Sequence, residues 1–369
     1  MKALGIILAG GSSERLGKLT AERAVAAMPV CGCYRSLDFT LSNMSNSGVN
    51  KVAVITQYNP RSLQDHLSSS KWWDLGRKQG GLFVFSPYLS DSNSMWYQGT
   101  ADSIYKNISF LLRSNEPYVI IGSGDSIYKM NYNDLIAAHE RTKADITLVY
   151  RKHDEGNLQD YGVLEFDENG RLLDFEEKPL DPQSDNISMG IYIIHRTLLI
   201  KLLESTAAEG RYDLVKDIII RYRRKLNIMG YRYDGYWRAI NSVKAYYDIN
   251  MDFLDRDLRY SFTMRYPYVE SKPKDEPPAK FNLHAKAANS IMGSGCIING
   301  VVRDSVLFRK VFTGENSRIH NSVVMEGCFI GNNCVVEHAI LDKEVVLSDG
   351  QSIVGEPDDP VIIAKGSVI

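Results

Sequence analysis

No apolar run in this sequence reaches the length needed to cross a bilayer, which excludes a membrane-spanning helix of ordinary kind. The opening "MKALGIILAGG" carries one lysine and a short apolar stretch. It passes straight into glycines and charged residues without a signal-type cleavage region, so it reads as a buried strand. Cysteine is scarce: five in 369 residues, an odd number, argues against a disulfide framework and fits reduced thiols in a cytoplasmic protein. Cys31 and Cys33 flank a single glycine, a spacing that suits no common zinc pattern. Charge of one sign is also lacking. Lys and Arg number 43 against 45 Asp and Glu, and a net charge of −2 gives no general attraction to nucleic acid or to an anionic membrane. Any polyanion must be held locally.

What is present divides the chain. From Met1 to about Leu254, short apolar runs ("ALGIILA", "KVAVIT", "PYVIIG", "DITLVY") alternate with amphipathic stretches such as "SIYKNISFLLRS" and "NYNDLIAAHERTK". Such alternation predicts an α/β domain, a largely parallel sheet covered by helices on both faces. "YGVLEF", a "DENG" turn and "RLLDFEE" predict a hairpin, followed by a strand at "SMGIYIIH". Residues 255–285, with Pro267, Pro273, Pro277 and Pro278 among charges, read as an extended connector. From residue 286 a new period begins. "GSGCII", "GENSRI", "GNNCVV" and "SDGQSIV" share a small residue, then Cys, Ser or Gln three on, then an aliphatic residue five on; Gly314, Gly331 and Ser348 are 17 residues apart. A second series, "NSIMG", "DSVLF", "NSVVM" and "HAILD", interleaves with it. This is the pattern of a left-handed parallel β-helix of hexapeptide type over 286–369, with a β-sandwich as the alternative. A short solenoid has open ends, which favours a cap or a subunit partner.

Three places could carry chemistry. "LAGG" after the first strand puts the N–H groups of Gly10 and Gly11 where a phosphate could approach, although a plain turn explains two glycines equally well. Arg15 adds a planar donor for phosphate oxygens; Ser12 and Ser13 add little, and Glu14 works against a polyphosphate. Asp125, at the end of "YVIIGSGD", stands where an open α/β sheet binds ligands and could hold Mg²⁺ on a phosphate, or could cap a turn. Glu177 and Lys178 in "FEEKP" could meet a sugar hydroxyl and a phosphate, or form a solvated surface pair.

In this order these pieces resemble the glucose-1-phosphate adenylyltransferases of bacterial glycogen synthesis. The matching segments are "LAGG..ERLGKLT", "YRSLDFTLSNMSNSG", "WYQGTADS", "GDSIYKMNY", "YGVLEF", "FEEKP", "SMGIY" and "YWRAINSVKAYY", and the β-helix fits as well. The resemblance implies a nucleotidyltransferase domain with a Rossmann-like sheet that joins glucose 1-phosphate to the adenylyl group of ATP, giving ADP-glucose and pyrophosphate, with Mg²⁺ bridging phosphates. It places Tyr97, Gly162, Glu177, Lys178 and Ser188 against glucose 1-phosphate, Gly10, Gly11, Arg15 and Gln98 on the nucleotide side, and Asp125 on the metal.

This chain also departs from the family pattern. Ser13 and Glu14 stand in "GSSERL" where the family has a glycine and a small hydroxylated residue. Val25 in "RAVAA" replaces a lysine that reaches the reacting phosphates, and Ala239 in "YWRAINS" replaces a second metal-binding aspartate. Loss of a cation and of a metal ligand removes the charge neutralisation on which nucleotidyl transfer depends. The chain therefore resembles most the family's regulatory subunit, which assembles with a catalytic partner, a hetero-tetramer being the expected form. Glu22 stands where some members carry a basic residue for a sugar-phosphate activator, which argues against such a site here. A competent enzyme with substitute ligands is the rival reading, Asp102, Asp213, Asp217 and Lys216 being candidates by type. An enzyme using another nucleotide, or an acyltransferase built on His284, His320 or His338, is the third.

Overall fold

The computed structural model describes residues 2–11, 14–76, 80–88, 96–153 and 158–369. The sheet domain runs through β1 (Ala3–Leu8), the small β2–β3 hairpin (Pro29–Val30, Tyr34–Arg35), β4 (Lys51–Ile55), β5 (Gly81–Phe85), β6 (Tyr118–Ser123), β7 (Ser126–Tyr128), β8 (Ile146–Lys152), β9 (Gly162–Phe166), β10 (Leu172–Glu177), β11 (Asn186–His195), β12 (Ile228–Arg232) and β13 (Trp237–Ala239). Among the described residues nine of these strands form one sheet. β1 is central, parallel to β4 on one side and to β6 on the other, and β5 extends the parallel set beyond β4. β11 runs antiparallel to both β6 and β8, and β9–β10 form the expected hairpin.

The strands are apolar on both sides because helices cover both faces. Ile7, Val52, Val54, Ile120 and Ile193 belong to one core, and Leu4, Ile6, Ala53, Ile55, Val119, Ile121 and Ile194 to the other. That is the period-2 alternation of a sheet buried on two sides. Helices α1 (Ser36–Asn46), α2 (Arg61–Leu67), α3 (Thr100–Tyr105), α4 (Ile108–Leu112), α5 (Tyr132–Thr142), α6 (Arg196–Ala208) and α7 (Val243–Asp252) supply the layers. Where "SIYKNISFLLRS" predicts one helix, the chain breaks between α3 and α4. The Asn107 amide bonds the Ser103 carbonyl at 2.8 Å and the Tyr97 hydroxyl at 3.0 Å. An asparagine that bonds its own preceding turn competes with the helix ladder.

The connector differs from the expectation too. Its first part is α8 (Arg256–Thr263), capped by the Asp255 carboxylate accepting from the Leu258 N–H at 2.7 Å and anchored by buried Phe262. Its last part, Lys280–Phe281, already pairs with Ile297–Ile298 in the β-helix. Prolines at 267–278 dominated the sequence pattern; the amphipathic period of "RDLRYSFT" was too short to stand out beside them.

The C-terminal domain is a triangular prism. Three parallel sheets of five short strands each are counted among the described residues; the middle coils step by 17 residues, as from Val301 to Arg318 and on to Val335, while the step from Lys286 to Val301 is shorter and that from Ala339 to Val361 longer. Val302, Ile319 and Val336 fill the axis from one sheet, and Leu307, Val324 and Leu341 from another. At one corner Asn289, Asp304, Asn321 and His338 repeat with φ from 42° to 45°, the left-handed conformation that Asn and Asp tolerate best. The outward row Val306, Val323 and Ile340 joins Val25, Met28, Phe39, Tyr246 and Phe253 in one core that welds the domains together. Inside that weld Arg23 Nη2 meets Asp342 Oδ1 at 2.7 Å, with 6% and 1% of the two side chains exposed.

Breaking one side of a buried ion pair strands the other charge. Asp342→Ala is expected to cost about 3–5 kcal/mol of unfolding free energy, and the apolar exchange Arg23→Met/Asp342→Leu less than half as much. Chemical denaturation of the three proteins checks this; equal losses for the single and double variants would contradict it.

Candidate functional site

Ligand chemistry in an open α/β sheet gathers at the carboxyl ends of its strands. Here β1, β4 and β6 end together, and the structure places the sequence-derived candidates around them in three groups. The first is a cavity of about 280 Å³ lined by Gly10, Gly11, Gln57, Tyr58, Tyr97, Gln98 and Ser103. A Cβ on Gly10 would lie 3.2 Å from Gln57, a tight approach that glycine relieves. The Gln57 side chain ties the opposite wall, accepting from the Tyr97 N–H at 2.9 Å. Tyr97, expected on the sugar side, thus shares the cavity of the nucleotide-side residues. At the lip the exposed rings of Tyr58 and Trp96 lie parallel, 6.2 Å apart.

The second group is the wall made by β9, β10 and β11. Gly162 pairs directly with Glu177, and Val163 with Ile187, the residue before Ser188. A Cβ at Gly162 would stand 2.5 Å from the Phe175 ring, which by itself accounts for glycine at this position. Lys178, in the left-handed region at φ 49°, turns the chain away after the strand. Partial desolvation and then the charge of Asp213 raise the Glu177 carboxyl above the usual range, while Lys178 opposes them.

The third group is the expected reaction centre. Asp125 Oδ1 accepts from the Ser123 hydroxyl at 2.5 Å and from the Ser126 hydroxyl at 3.2 Å. β13 lies antiparallel on β7 with Ala239 directly opposite Ser126, and the Ile240 N–H reaches the Asp125 carbonyl at 2.9 Å. A methyl group therefore faces the strand beside Asp125. The backbone of Val25 is tied to the same region through Ser36, whose hydroxyl lies 3.0 Å from the Val25 carbonyl and 2.9 Å from that of Gly124. Val25 is buried in the core it shares with Leu16, Ile127 and Ile240. Mg²⁺ does not fit this donor set as a protein-held ion. One carboxylate is present, Ala239 offers no donor, and among the described residues no three His, Cys, Asp or Glu groups stand together as a metal site.

Other candidates fall elsewhere. The Arg15 guanidinium pairs with Asp160 across the cleft. Ser12 and Ser13 lie outside the described residues. Asp102 accepts the Gln98 N–H at 2.8 Å, and Asp217 accepts the N–H groups of Tyr212 and Asp213, so both cap backbone. Asp213 in turn accepts the Lys216 N–H at 2.7 Å, and the Lys216 side chain is exposed. His320 bridges Asp304 and Glu337 on an exposed face, His338 leans on the Tyr247 hydroxyl, and His284 is exposed. Glu22 pairs with Lys365 of the β-helix at 2.7 Å.

Sequence reasoning missed one feature altogether. A cavity of about 420 Å³ between the domains brings Arg35, Lys272, Lys274, Arg309 and Lys343 against Glu270 and Glu326. Burial, and then the neighbouring Arg309 and Lys272, lower the Lys274 ammonium from its ordinary value. The lysines of a proline-rich connector gave no sign that they would meet arginine from both domains.

A nucleotidyl transferase family model matches residues 4–256, and a GlmU-like C-terminal hexapeptide model matches residues 277–360. Proteins of Bacillus cereus, Bacillus mycoides and Bacillus anthracis named glucose-1-phosphate adenylyltransferase are 38% identical to the chain over 370 residues, 99% of this chain and 98% of each relative. No helix among the described residues is long and apolar enough to cross a membrane.

Burial raises the Asp125 carboxyl above the ordinary aspartate value of 3.8, and its two serine hydroxyls offset only part of this. Folding then favours the protonated form, so the carboxylate opposes folding at neutral pH, and the cost vanishes below the ordinary pKa where both states are protonated. Asp125→Asn is expected to raise Tm at about pH 7 and to leave it unchanged near about pH 3. Thermal unfolding across this range checks the sign; a lowered Tm at neutral pH would mean that a partner stabilises the carboxylate.

Proposed function

The chain belongs to the glucose-1-phosphate adenylyltransferase family, and from that premise we propose that it is a regulatory subunit of such an enzyme, with little or no turnover of its own. The carrying observation is Ala239 opposite Ser126 at Asp125. Enzymes of this class join two phosphorylated substrates whose negative charge Mg²⁺ and basic side chains must neutralise. A methyl group beside the single carboxylate and a buried valine in place of the phosphate-binding lysine leave that charge without its partners. Each loss of this kind typically costs on the order of 10²–10³ in rate.

The sugar wall with Gly162, Glu177, Lys178 and Ser188, and the Gly10–Gly11 cavity, are nevertheless built. Their retention supports binding of glucose 1-phosphate, and of ATP or ADP-glucose, without conversion. A ligand that binds such a subunit shifts the equilibrium of an oligomer by its differential affinity for two states, typically about 1–3 kcal/mol, which changes a partner's affinity roughly 5–150-fold. The partner in this reading is a catalytic homologue, and a hetero-tetramer is the assembly. The substitutes that a competent enzyme would need gain no support: Asp102, Asp213 and Asp217 already accept backbone N–H groups.

Co-purification with a catalytic homologue tests the reading. The two chains are expected to co-elute, and this chain to change the partner's KM or kcat at matched catalytic concentration, an effect that survives Asp125→Ala here. Separate elution, or identical kinetics with and without this chain, would remove its support. A second expectation concerns repair. Ala239→Asp with Val25→Lys restores measurable adenylyl transfer, and either alone restores less. Because Val25 is 5% exposed, the lysine also lowers stability. A folded, Mg²⁺-saturated double variant without activity would place the main defect elsewhere.

A further inference from the structure

The three side faces of the β-helix are unlike one another. One, with Val306, Val323 and Ile340, is covered by the sheet domain. A second carries Arg303, Arg318, His320 and Glu337 outward, the charged surface expected of a face in water. The third is apolar and uncovered. Its parallel register stacks Ile297 on Phe312, Phe312 on Phe329, Phe329 on Val346 and Val346 on Val368. The alternate residues Ile298, Thr313, Ile330 and Leu347 are buried inside the prism, so the column itself points outward. Ile297 is 39% exposed, Phe329 44% and Val368 74%. The rings of Phe312 and Phe329 lie 4.7 Å apart with 3° between their planes.

A continuous apolar column on a solvent face marks a surface that another surface covers. One charged side chain at a central position would interrupt it, the usual protection of an exposed sheet. None of the five positions carries one.

The column indicates its own partner, because it reads alike in both directions: a β-branched residue, two phenylalanines, a β-branched residue. A two-fold axis in the plane of the face, parallel to the strands and midway between Phe312 and Phe329, sets Phe312 of one copy against Phe329 of another and Ile297 against Val346. The charges beside the column obey the same axis. Two residues before each of its first four members stand Gly295, Lys310, Gly327 and Glu344. A Cβ on Gly295 would lie 3.3 Å from Lys310 Cγ, and one on Gly327 3.6 Å from Glu344 Cγ, so each long side chain leans over the coil before it. With the coil order reversed, the Lys310 ammonium of one copy faces the Glu344 carboxylate of the other, twice. Lys310 lies 2.7 Å from Glu276 and still has 52% of its side chain exposed; Glu344 is exposed as well. The row beyond the column on its other side, Asn299, Gly314, Gly331 and Ser348, is uncharged.

We propose that this face is a two-fold interface between two copies of the chain, centred on Phe312 and Phe329 and edged by Lys310–Glu344 pairs. It uses the side of the prism and leaves the open ends of the solenoid free. Strands about 4.8 Å apart and about six residues across make each face roughly 24 by 20 Å, so two copies bury about 1,000 Å², the lower bound for a specific interface. The dimer is therefore reversible. Isologous contacts of this kind are the commonest in soluble oligomers.

Sedimentation equilibrium of the purified full chain from about 0.1 to 100 μM tests the assignment, dimer being expected at the upper end and monomer on dilution. Phe329→Glu should weaken association at least about tenfold, since a central aromatic is replaced by a charge. Glu344→Lys sets two ammonium groups together across the axis and should weaken it several-fold; adding Lys310→Glu to it should restore the affinity. In that double variant Glu276 keeps Arg309, at 3.2 Å. The exposed charge variants decide the matter should Phe329→Glu fail to fold. A chain that stays monomeric throughout, alone or only until a catalytic homologue is added, overturns the assignment, as does a dimer that Phe329→Glu and Glu344→Lys leave unchanged. The proposal does not depend on the regulatory reading, whose failure shows differently, as pyrophosphate release by the chain alone.

Discussion

Two charges that water scarcely reaches, Arg23 and Asp342, fix how the two domains meet. Neither can be withdrawn separately, because an unpaired charge in that position would be far more costly than the pair. Around them the Tyr246 hydroxyl bonds the Pro29 carbonyl at 2.7 Å, and the Asn250 amide oxygen accepts from the Cys31 N–H at 3.1 Å. The segment from Arg23 to Cys33 is therefore clamped between α7 and the β-helix, and Val25 with it. Through Ser36 the same segment touches the carbonyl before Asp125. The β-helix is thus mechanically continuous with the centre where transfer would take place.

The side chains at that centre are closely packed and bonded to one another. Asp125 is satisfied by two serine hydroxyls, Ala239 fills the facing position with a methyl group, and Val25 joins an apolar core in which Ile127 and Ile240 also sit. Positive charge is present in the molecule but displaced from this point. It stands in the cavity between the domains and in the turn carrying Arg238, with Arg15 held by Asp160.

Much of the architecture was legible in the sequence because it rests on period. The alternating strands and helices before residue 254, the β9–β10 hairpin and the 17-residue β-helix repeat all follow from where apolar side chains recur. The family pattern singles out Val25 and Ala239, and the structure sets Ala239 opposite Ser126. What escaped depends on contacts between distant residues. Arg23 and Asp342 are 319 positions apart, and neither is unusual in its local sequence. Tyr97 reads as a sugar-side residue, and folding ties it through Gln57 to the cavity that Gly10 and Gly11 line. Arg15 carries the charge a phosphate needs, yet a carboxylate brought close by folding takes it. Trp237 lies in β13 and His153 follows the end of β8, and only the tertiary structure leaves Nε1 of the one and Nε2 of the other without partners.

The central claim is that a substrate-shaped pocket persists beside a centre unable to transfer an adenylyl group. Single-turnover conditions test it most directly, with the isolated chain in excess over glucose 1-phosphate and ATP in the presence of Mg²⁺, and ADP-glucose measured over time. The account predicts that glucose 1-phosphate binds and is recovered unchanged. Formation of ADP-glucose at the rate of an ordinary enzyme, on the order of 10 per second, would contradict it.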